Sequence, residues 1–340
     1  MEAICAATAT TGAALLQADA RTPDVPMTPS VVDLFKHYFH ENLHVGDIRA
    51  VRGVPLLLSG WDAVRDQDMF RSETEMLRDP LYACLARFKF RWFSAISFQS
   101  GPAMWAMSLQ RTIGEGMFDD GELRALGSLS ESLTEVATLS RAVGKQVLLG
   151  TLNAFELINE PALSMSSTGR VIEMNRAADE LFDADFRVRN SRLYMRDGKA
   201  SQALGRMLWE RPADDEVRLR SRGRVANIVV ARRESKKPIL IKVLPVHGAA
   251  ATPFLGARAI LVLRDLEAER RAPLEILAEA FSLTSAEAKV ASMVAAGSSP
   301  EEIAIALQVS RETVRNQIKA IFGKTATHRQ SELAALVSRT

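Results

Sequence analysis

Cysteine is scarce in this chain, because Cys5 and Cys84 are the only two among 340 residues. They do not form a CxxC pair, which argues against a disulfide scaffold, a zinc ribbon or an iron–sulfur site. So few thiols fit a reducing compartment, and we expect a cytoplasmic location.

Long hydrophobic runs are also missing, since no apolar stretch approaches the ~18 residues that a membrane-spanning helix needs. The opening segment, MEAICAATATTGAALLQADA, has no Lys or Arg before Arg21 and no strong apolar block. We therefore expect neither a signal peptide nor a membrane partner. Residues 1–30 are interpreted as a poorly ordered, Ala/Thr-rich N-terminus.

Charge of one sign is not in excess, because 43 Lys and Arg residues face 41 Asp and Glu residues, a net charge of +2. Nucleic-acid binding would have to come from a local basic patch. Catalytic signatures are missing as well: there is no Ser/His/Asp or Cys/His set, HExxH, P-loop or dinucleotide-binding glycine motif. We expect no enzyme activity, no catalytic residue and no cofactor.

Two patterned groups leave alternatives open. His37, His40 and His44 recur at helical spacing, as metal ligands would, but a surface stripe is the commoner outcome and no metal is expected. The arginines of VRLRSRGRV, residues 217–225, alternate and would share one face of a strand. They could form an anion site or a second DNA contact. Alternatively, they lie on an exposed sheet edge, where cations keep the strand from pairing with another chain, and we favour this second interpretation.

The first block, residues 31–150, is predicted to begin with a helix, SVVDLFKHYFHENL. Two strands follow, RWFSAISFQS and AMWAMSLQRT, joined by a turn at 100–102. The segment 119–148 is predicted as one long helix with an apolar a/d seam: Leu126, Leu129, Leu133, Val136, Val143 and Val147, with Ser140 as its polar a position. The seam either packs on its own domain or forms a two-stranded coiled coil. We favour the coiled coil, and therefore a homodimer.

The second block, residues 151–267, has the pattern of a five-stranded antiparallel sheet. LSMSS and VIEMN are predicted strands around a turn at 168–169, and a short helix begins in RAADELF. VANIVVARRE, ILIKVLPVH and ARAILVLRDL are three further strands, with helices between the first and second strand pairs. A connector helix is expected over residues 268–282, with Pro273 in its first turn.

Capping signals divide residues 283–340 into four helices. TSAE at 284–287 and SPEE at 299–302 are capping boxes, the second with proline where a missing N–H costs nothing. Ser310 caps a third helix of about four turns, and QSELAALVS is the fourth. A short helix, a turn of about three residues and a longer helix form the helix-turn-helix layout.

The third of these helices has two contrasting faces. An apolar face is predicted from Val314, Ile318 and Ile321, and a polar face from Arg315, Asn316 and Lys319. Long donors reach base edges in a major groove, and cations neutralise phosphates. The alternative is an amphipathic helix whose basic face is merely solvated.

Residues 283–340 resemble the LuxR/GerE-type helix-turn-helix. The resemblance lies in Leu283-Thr284, Glu287, Gly297, Glu302-Ile303-Ala304, Val309-Ser310, Thr313-Val314-Arg315, Ile318, Lys324 and Glu332-Leu333. It implies that Arg315, Asn316 and Lys319 lie in the groove of a two-fold symmetric DNA site. It also implies that the DNA backbone is contacted by Arg311, Thr313, Lys324 and Arg329.

The two preceding blocks resemble sensor domains. The strand order of residues 151–267, with Asn175 and NRAADELF, resembles a PAS domain. AMWAMSLQRT followed by FDDGELRALGSL resembles a GAF domain, the weaker likeness of the two. Neither resemblance identifies a ligand.

The expected fold class is therefore α+β multidomain: GAF-like and PAS-like α/β sensor domains, then an all-α tetra-helical LuxR-type helix-turn-helix. The expected function is a dimeric, sequence-specific transcriptional regulator whose partners are double-stranded DNA, RNA polymerase and a small-molecule ligand of the sensor domains. Two other classes remain open: an enzyme gated by sensor domains, and an interaction module whose terminal helices bind another protein.

Overall fold

The computed structural model describes residues 1–18, 25–209, 227–267 and 274–337. They form two compact units, Met1–Arg264 and Asp265–Thr340. The first unit contains β-sheets together with helices, and the described part of the second is helical. The α+β class expected from the sequence is confirmed.

A four-stranded sheet in the first unit has the strand order β1-β4-β3-β2, and its neighbouring strands are antiparallel. Its strands are β1 (Gly12–Gln17), β2 (Ala63–Arg65), β3 (Phe90–Ser100) and β4 (Ala103–Thr112). The predicted hairpin is confirmed as β3 and β4. Its turn places Gly101 at a φ of +60°, in the left-handed region that glycine adopts without a steric cost.

Within the described residues 1–18, the N-terminal segment forms regular elements, where the sequence led us to expect poor order over residues 1–30. The chain forms helix α1 (Glu2–Ala7) and then β1, which pairs with β4 from Gly12 opposite Gln110 to Gln17 opposite Trp105. β1 is buried along almost its whole length. Because both faces of the sheet are covered, the strand sequence GAALLQ has none of the apolar–polar alternation that marks a half-exposed strand.

Helices cover both faces of this sheet. One face carries α2 (Val32–His40), α3 (Ile48–Leu58), α4 (Asp66–Met69), α5 (Glu73–Leu77) and α6 (Pro80–Arg87). The other face carries α1, α7 (Asp120–Gly127) and α8 (Ser130–Leu157). The predicted helix SVVDLFKHYFHENL is confirmed as α2.

The prediction of one helix over 119–148 is wrong, because the chain breaks it between Gly127 and Ser130. Leu126 is buried on α7, and Leu129 and Leu133 pack against the same core. The first half of the predicted seam is therefore part of the first unit's own core.

The second half of the predicted seam divides between two faces of α8. The hydroxyl of Ser140 lies 2.7 Å from that of Thr252, within the first unit. Val136, Val143 and Val147 are exposed, and so is Leu139, which the predicted seam omitted.

The second sheet of the first unit has five strands, as predicted, in the order β6-β5-β11-β10-β9. They are β5 (Ala162–Ser166), β6 (Val171–Met174), β9 (Ile228–Ala231), β10 (Ile239–Pro245) and β11 (Ala257–Asp265). Between β6 and β9 lie α9 (Arg176–Leu181), the strands β7 (Phe186–Arg189) and β8 (Arg192–Met195), and α10 (Gly198–Trp209). The β7–β8 hairpin was not predicted.

Asn175 ties α9 to the start of β5. Its Oδ1 accepts the backbone N–H groups of Ala178 and Ala162, each at 3.0 Å, and its Nδ2 donates to the carbonyl of Glu160 at 2.9 Å. One side chain therefore caps a helix and satisfies two further backbone groups.

The second unit contains the expected connector helix, α11 (Leu274–Phe281), and the four predicted helices. These are α12 (Ser285–Ala295), α13 (Pro300–Leu307), α14 (Arg311–Thr325) and α15 (Gln330–Val337). Both capping boxes are formed, at Thr284 with Glu287 and at Ser299 with Glu302. The five helices share one apolar core.

Candidate nucleic-acid interface

A sharp turn joins α13 to α14 and fixes where α14 begins. Gln308 ends α13 in the left-handed conformation, with a φ of +57°, and the N–H of Val309 bonds the carbonyl of Ala304 at 3.0 Å. Ser310 then caps α14, because its hydroxyl accepts the N–H of Thr313 at 3.0 Å. The short-helix, turn, long-helix layout is confirmed.

One face of α14 anchors it in the core. Val314 and Ile321 are fully buried and Ile318 is 6% exposed. Ile303 of α13 belongs to the same cluster, so the two helices pack through these side chains. The apolar face predicted from the sequence is confirmed.

The opposite face of α14 presents three polar side chains. Arg315, Asn316 and Lys319 are all exposed, and Arg315 and Lys319 stand one turn apart. The ion pairs that the described part of this unit forms use Arg311 and Lys324 instead. The long donors of this face therefore point to solvent.

The other predicted contact residues differ in their surroundings. Arg311 is paired with Glu301 of α13, and both side chains are about half exposed. The Thr313 hydroxyl lies 2.8 Å from the Ser310 hydroxyl. Arg329 is exposed immediately before α15, and its carbonyl accepts the N–H groups of Glu332 and Leu333.

Lys324 is engaged inside the unit. Its Nζ donates to Oε2 of Glu287 at 2.7 Å, and the same oxygen accepts the N–H of Thr284 at 2.6 Å. These two hydrogen bonds, Lys324 first, lower the pKa of the Glu287 carboxyl below its usual value of 4.5. The sequence showed Glu287 as a capping residue but not as the partner of Lys324, which is distant in the chain.

The histidine group does not converge on a common point. The His37 ring packs 5.6 Å from the ring of Phe88, the His44 ring lies 5.1 Å from that of Phe39, and His40 is exposed. Within the described ranges, no cluster of three or more His, Cys, Asp or Glu side chains could hold a metal ion.

Two remaining observations concern the predicted arginine stripe and membrane-spanning helices. The arginine stripe at 217–225 lies outside the described residues. In the part of the chain that the structure describes, no helix combines the length and apolar character needed to cross a bilayer.

The comparisons with known proteins agree with the C-terminal geometry. Residues 281–337 match the family model of bacterial regulatory proteins, luxR family. The second unit therefore contains a luxR-family helix-turn-helix, the DNA-binding domain of a class of transcription regulators. No curated protein matches the chain.

Two solved structures show distant similarity. One is the phage VqmA–DPO complex, at 14% identity, covering 57% of this chain and 89% of that one, with a TM-score of 0.24. The other is the Escherichia coli DhaR(N)–DhaL complex, at 12% identity, covering 75% and 79%, with a TM-score of 0.23. TM-scores this low do not define a shared fold.

Proposed function

We propose that this protein is a dimeric, sequence-specific transcriptional regulator whose N-terminal sensory and dimerisation domains control how the helix-turn-helix is presented to DNA. The observation that carries the proposal is the face of α14 formed by Arg315, Asn316 and Lys319. It is exposed, rich in hydrogen-bond donors, and opposite the side that holds the helix in its core.

The seven predicted residues divide into two roles. Arg315, Asn316 and Lys319 read base edges and adjoining phosphates in the major groove. Arg311, Thr313, Lys324 and Arg329 hold the DNA backbone. An exposed ion pair contributes little stability, so Arg311 can exchange Glu301 for a phosphate at small cost. Lys324 has three N–H donors and uses one on Glu287, so it contacts a phosphate without leaving that carboxylate.

Dimerisation is supported by an exposed apolar stripe on α8. Its members and their exposed fractions are Val136 63%, Leu139 66%, Val143 46% and Val147 45%. They step by three, four and four residues, and the same steps reach Gly150, Ala154 and Ile158. A repeat of eleven residues matches the α-helical period closely and keeps such a stripe nearly straight. The same stripe on a second copy of the chain would cover it, because two identical helices can pack side by side along such a seam.

The sensory part rests on the two sheets of the first unit. The five-stranded sheet, with α9 and α10 between its second and third strands, supports the PAS-like assignment of residues 151–267. The hairpin β3–β4 followed by α7 supports the GAF-like assignment of residues 31–150. A ligand that binds one arrangement of these domains more tightly shifts the presentation of the DNA-binding helices by linkage.

The remaining parts of the proposal follow from the function class. The protein acts in the cytoplasm, without catalysis, and its partners are operator DNA, a second copy of itself, RNA polymerase and a small-molecule effector. Two copies of α14 related by a two-fold axis would read a palindromic site.

The test is a selection of random DNA duplexes by the full-length protein, followed by sequencing. An enriched palindrome supports the proposal, and enrichment that survives both Arg315→Ala and Lys319→Ala contradicts the assignment of α14. If nothing is enriched at low or at physiological salt, and the protein instead captures RNA polymerase, the second unit is a protein-interaction module.

A further inference from the structure

The hairpin of β7 and β8 has an apolar side that packs into the first unit. Phe186 lies opposite Met195, and Val188 lies opposite Leu193. Phe186 and Met195 are buried in one apolar core with residues of the five-stranded sheet, and Leu193 packs against the same core. Because side chains alternate between the two sides of a strand, the other residues of the hairpin project outward.

The outward side of the hairpin is basic. Arg187 lies opposite Tyr194, Arg189 lies opposite Arg192, and all four side chains are exposed. The guanidinium carbon of Arg187 stands 5.1 Å from the centre of the Tyr194 ring. Arg170, also exposed, forms an antiparallel bridge with Arg192, so its side chain joins the same side. We call this surface the hairpin face; it consists of Arg170, Arg187, Arg189, Arg192 and Tyr194.

The arginines of the hairpin face have no acidic partner among the described residues. Arg196, just beyond β8, shows the contrast, since it pairs with Asp185 and Glu234. On the hairpin face itself, within the same described ranges, the side-chain hydrogen bond that forms runs from Nη1 of Arg192 to the carbonyl of Thr168 at 3.3 Å. Most guanidinium N–H donors of this face therefore point to solvent.

The pairing of Arg189 with Arg192 needs a physical reason. Directly opposite residues of an antiparallel pair have Cβ atoms about 4.5–5.5 Å apart, and like charges at that distance destabilise the pair. Solubility alone does not require such a pair, because cations interspersed with acids serve equally well. A bound anion between the two guanidinium groups would remove the repulsion, so the arrangement is typical of an anion-binding surface.

The spacing of the cations fits an extended anion better than a small one. Arg187 and Arg189 are about 6.8 Å apart along β7, and Arg170, Arg192 and Arg189 lie on three adjacent segments about 4.8 Å apart. The four cations therefore cover an open surface of roughly 10 by 7 Å. Arginine binds phosphate groups through paired N–H donors, and tyrosine hydroxyls also contact DNA phosphates.

We propose that the hairpin face binds the sugar–phosphate backbone of duplex DNA, as a sequence-independent contact in addition to that of α14. The luxR-family domain of the same chain makes duplex DNA the polyanion that this protein meets. The inference goes beyond the proposed function, which gives DNA contacts to the second unit only, but the choice of DNA as the polyanion rests on that function.

The experiment is a titration of the full-length protein with a random-sequence duplex of about 40 base pairs, between about 50 and 200 mM salt. The hairpin variant combines Arg187→Gln, Arg189→Gln and Arg192→Gln. It is expected to lose at least tenfold in affinity at the lowest salt. The slope of log affinity against log salt should fall by about 2.7, or about 0.9 for each lost phosphate contact.

A matched control removes three exposed cations from elsewhere in the first unit. It combines Lys36→Gln, Arg78→Gln and Arg87→Gln. The control should bind DNA like the wild type. An equal loss in the control and the hairpin variant would reduce the effect to net charge and overturn the proposal.

Arg189→Glu separates DNA binding from folding. It places a carboxylate opposite Arg192, so the first unit should unfold at the same urea concentration as the wild type or a higher one. Its affinity for DNA should nevertheless fall at least fivefold. Wild-type affinity in this folded variant would overturn the proposal.

The double variant Arg315→Ala with Lys319→Ala distinguishes this inference from the proposed function. If it loses affinity and the hairpin variant does not, the inference fails and the role of α14 stands. If the hairpin variant loses affinity and the double variant does not, the inference stands and the role of α14 fails. A hairpin variant that binds DNA normally but no longer binds phosphatidylserine vesicles would make the face a membrane contact and overturn the DNA assignment.

Discussion

The Nζ of Lys324 lies 2.7 Å from Oε2 of Glu287, so the end of α14 is fixed to a member of the capping box that starts α12. One carboxylate therefore performs two tasks, as the N3 member of a capping box and as the partner of a cation on the DNA-binding helix. The arrangement limits how α14 can shift within the helical core.

Replacing Lys324 with Met is expected to loosen this junction. The loss is about 1 kcal/mol of local stability, because a charge-assisted hydrogen bond is removed from a side chain that is partly exposed. Hydrogen exchange of the α12 amides should accelerate roughly fivefold. Lys319→Met is the matched control, since it removes the same charge from an exposed position of the same helix. Equal acceleration in both variants would contradict the role given to Glu287.

Acid should weaken the same junction. The pKa of Glu287 is lowered, so its contribution to stability is present above the ordinary carboxyl value of 4.5 and is lost as the pH falls through the lowered value. In Glu287→Gln the α12 exchange should be faster at neutral pH and should respond less to acid. A wild-type protein whose α12 protection is unchanged down to pH 3 would argue against this interaction.

The stability of the first unit should have the opposite pH dependence, because of the buried carboxyl of Asp66. Burial raises the pKa of this carboxyl to about 7, although it accepts hydrogen bonds from the Tyr82 hydroxyl and the Phe93 N–H. The folded state then binds more protons than the unfolded state between the two pKa values. The contribution of this group to stability should be full below about pH 4, fall as the pH rises between the two pKa values, and level off above about pH 7, a total loss on the order of 4 kcal/mol.

The measurement is urea unfolding of the first unit, followed by tryptophan fluorescence from pH 4 to 8, in the wild type and in Asp66→Asn. The variant cannot ionise at this position and should show a flatter profile. Parallel profiles in the two proteins would show that another group causes the dependence.

A charged substitution in the exposed stripe of α8 should dissociate the proposed dimer. Val143→Glu places a carboxylate in the middle of the proposed seam, where two copies would have to bury two like charges. Sedimentation equilibrium should change from twice the chain mass of 37.3 kDa to the single mass. Thr138→Glu, an exposed position on another side of α8, should leave the dimer intact. If the Val143→Glu protein stays dimeric, the dimer interface lies elsewhere.

Removing the Asn175 side chain should destabilise the five-stranded sheet. Asn175→Ala leaves the N–H groups of Ala162 and Ala178 and the carbonyl of Glu160 without this partner, at a cost of about 2–3 kcal/mol. Asn175→Asp keeps acceptors for the two N–H groups and should cost less. The denaturant midpoint of the first unit provides the measurement, and equal losses in the two variants would contradict the acceptor role.

The C-terminal unit was predictable because its signals are local. Each capping box lies within four consecutive residues, and the buried and exposed sides of α14 follow the helical period within that one helix. Arg315, Asn316 and Lys319 therefore lay on the predicted face. The pairing of Lys324 with Glu287 was not predictable, because it joins two helices that are adjacent only in the folded unit.

The first unit was harder for the same physical reason. β1 is a strand because β4 pairs with it and both sheet faces are covered, none of which alters the sequence GAALLQ. In the sequence, Ser140 fitted a polar a position of a coiled coil. In the structure, its hydroxyl instead contacts that of Thr252, which is far along the chain. The contact of the Arg49 guanidinium of α3 with the Gln110 side chain, at 3.4 Å, likewise forms only because β4 lies beside α3 in the folded unit. Contacts between residues far apart in the chain leave no periodic pattern in the sequence.

The most direct test of the DNA-binding account is a titration of the selected duplex at several salt concentrations with wild type, Arg315→Ala, Lys319→Ala and the control Lys36→Ala, which removes an exposed cation from α2. We expect both α14 variants to lose at least tenfold in specific affinity, and a lost phosphate contact to reduce the slope of log affinity against log salt by about 0.9. Lys36→Ala should match the wild type. Unchanged affinity and slope in both α14 variants would contradict the claim that this helix binds DNA.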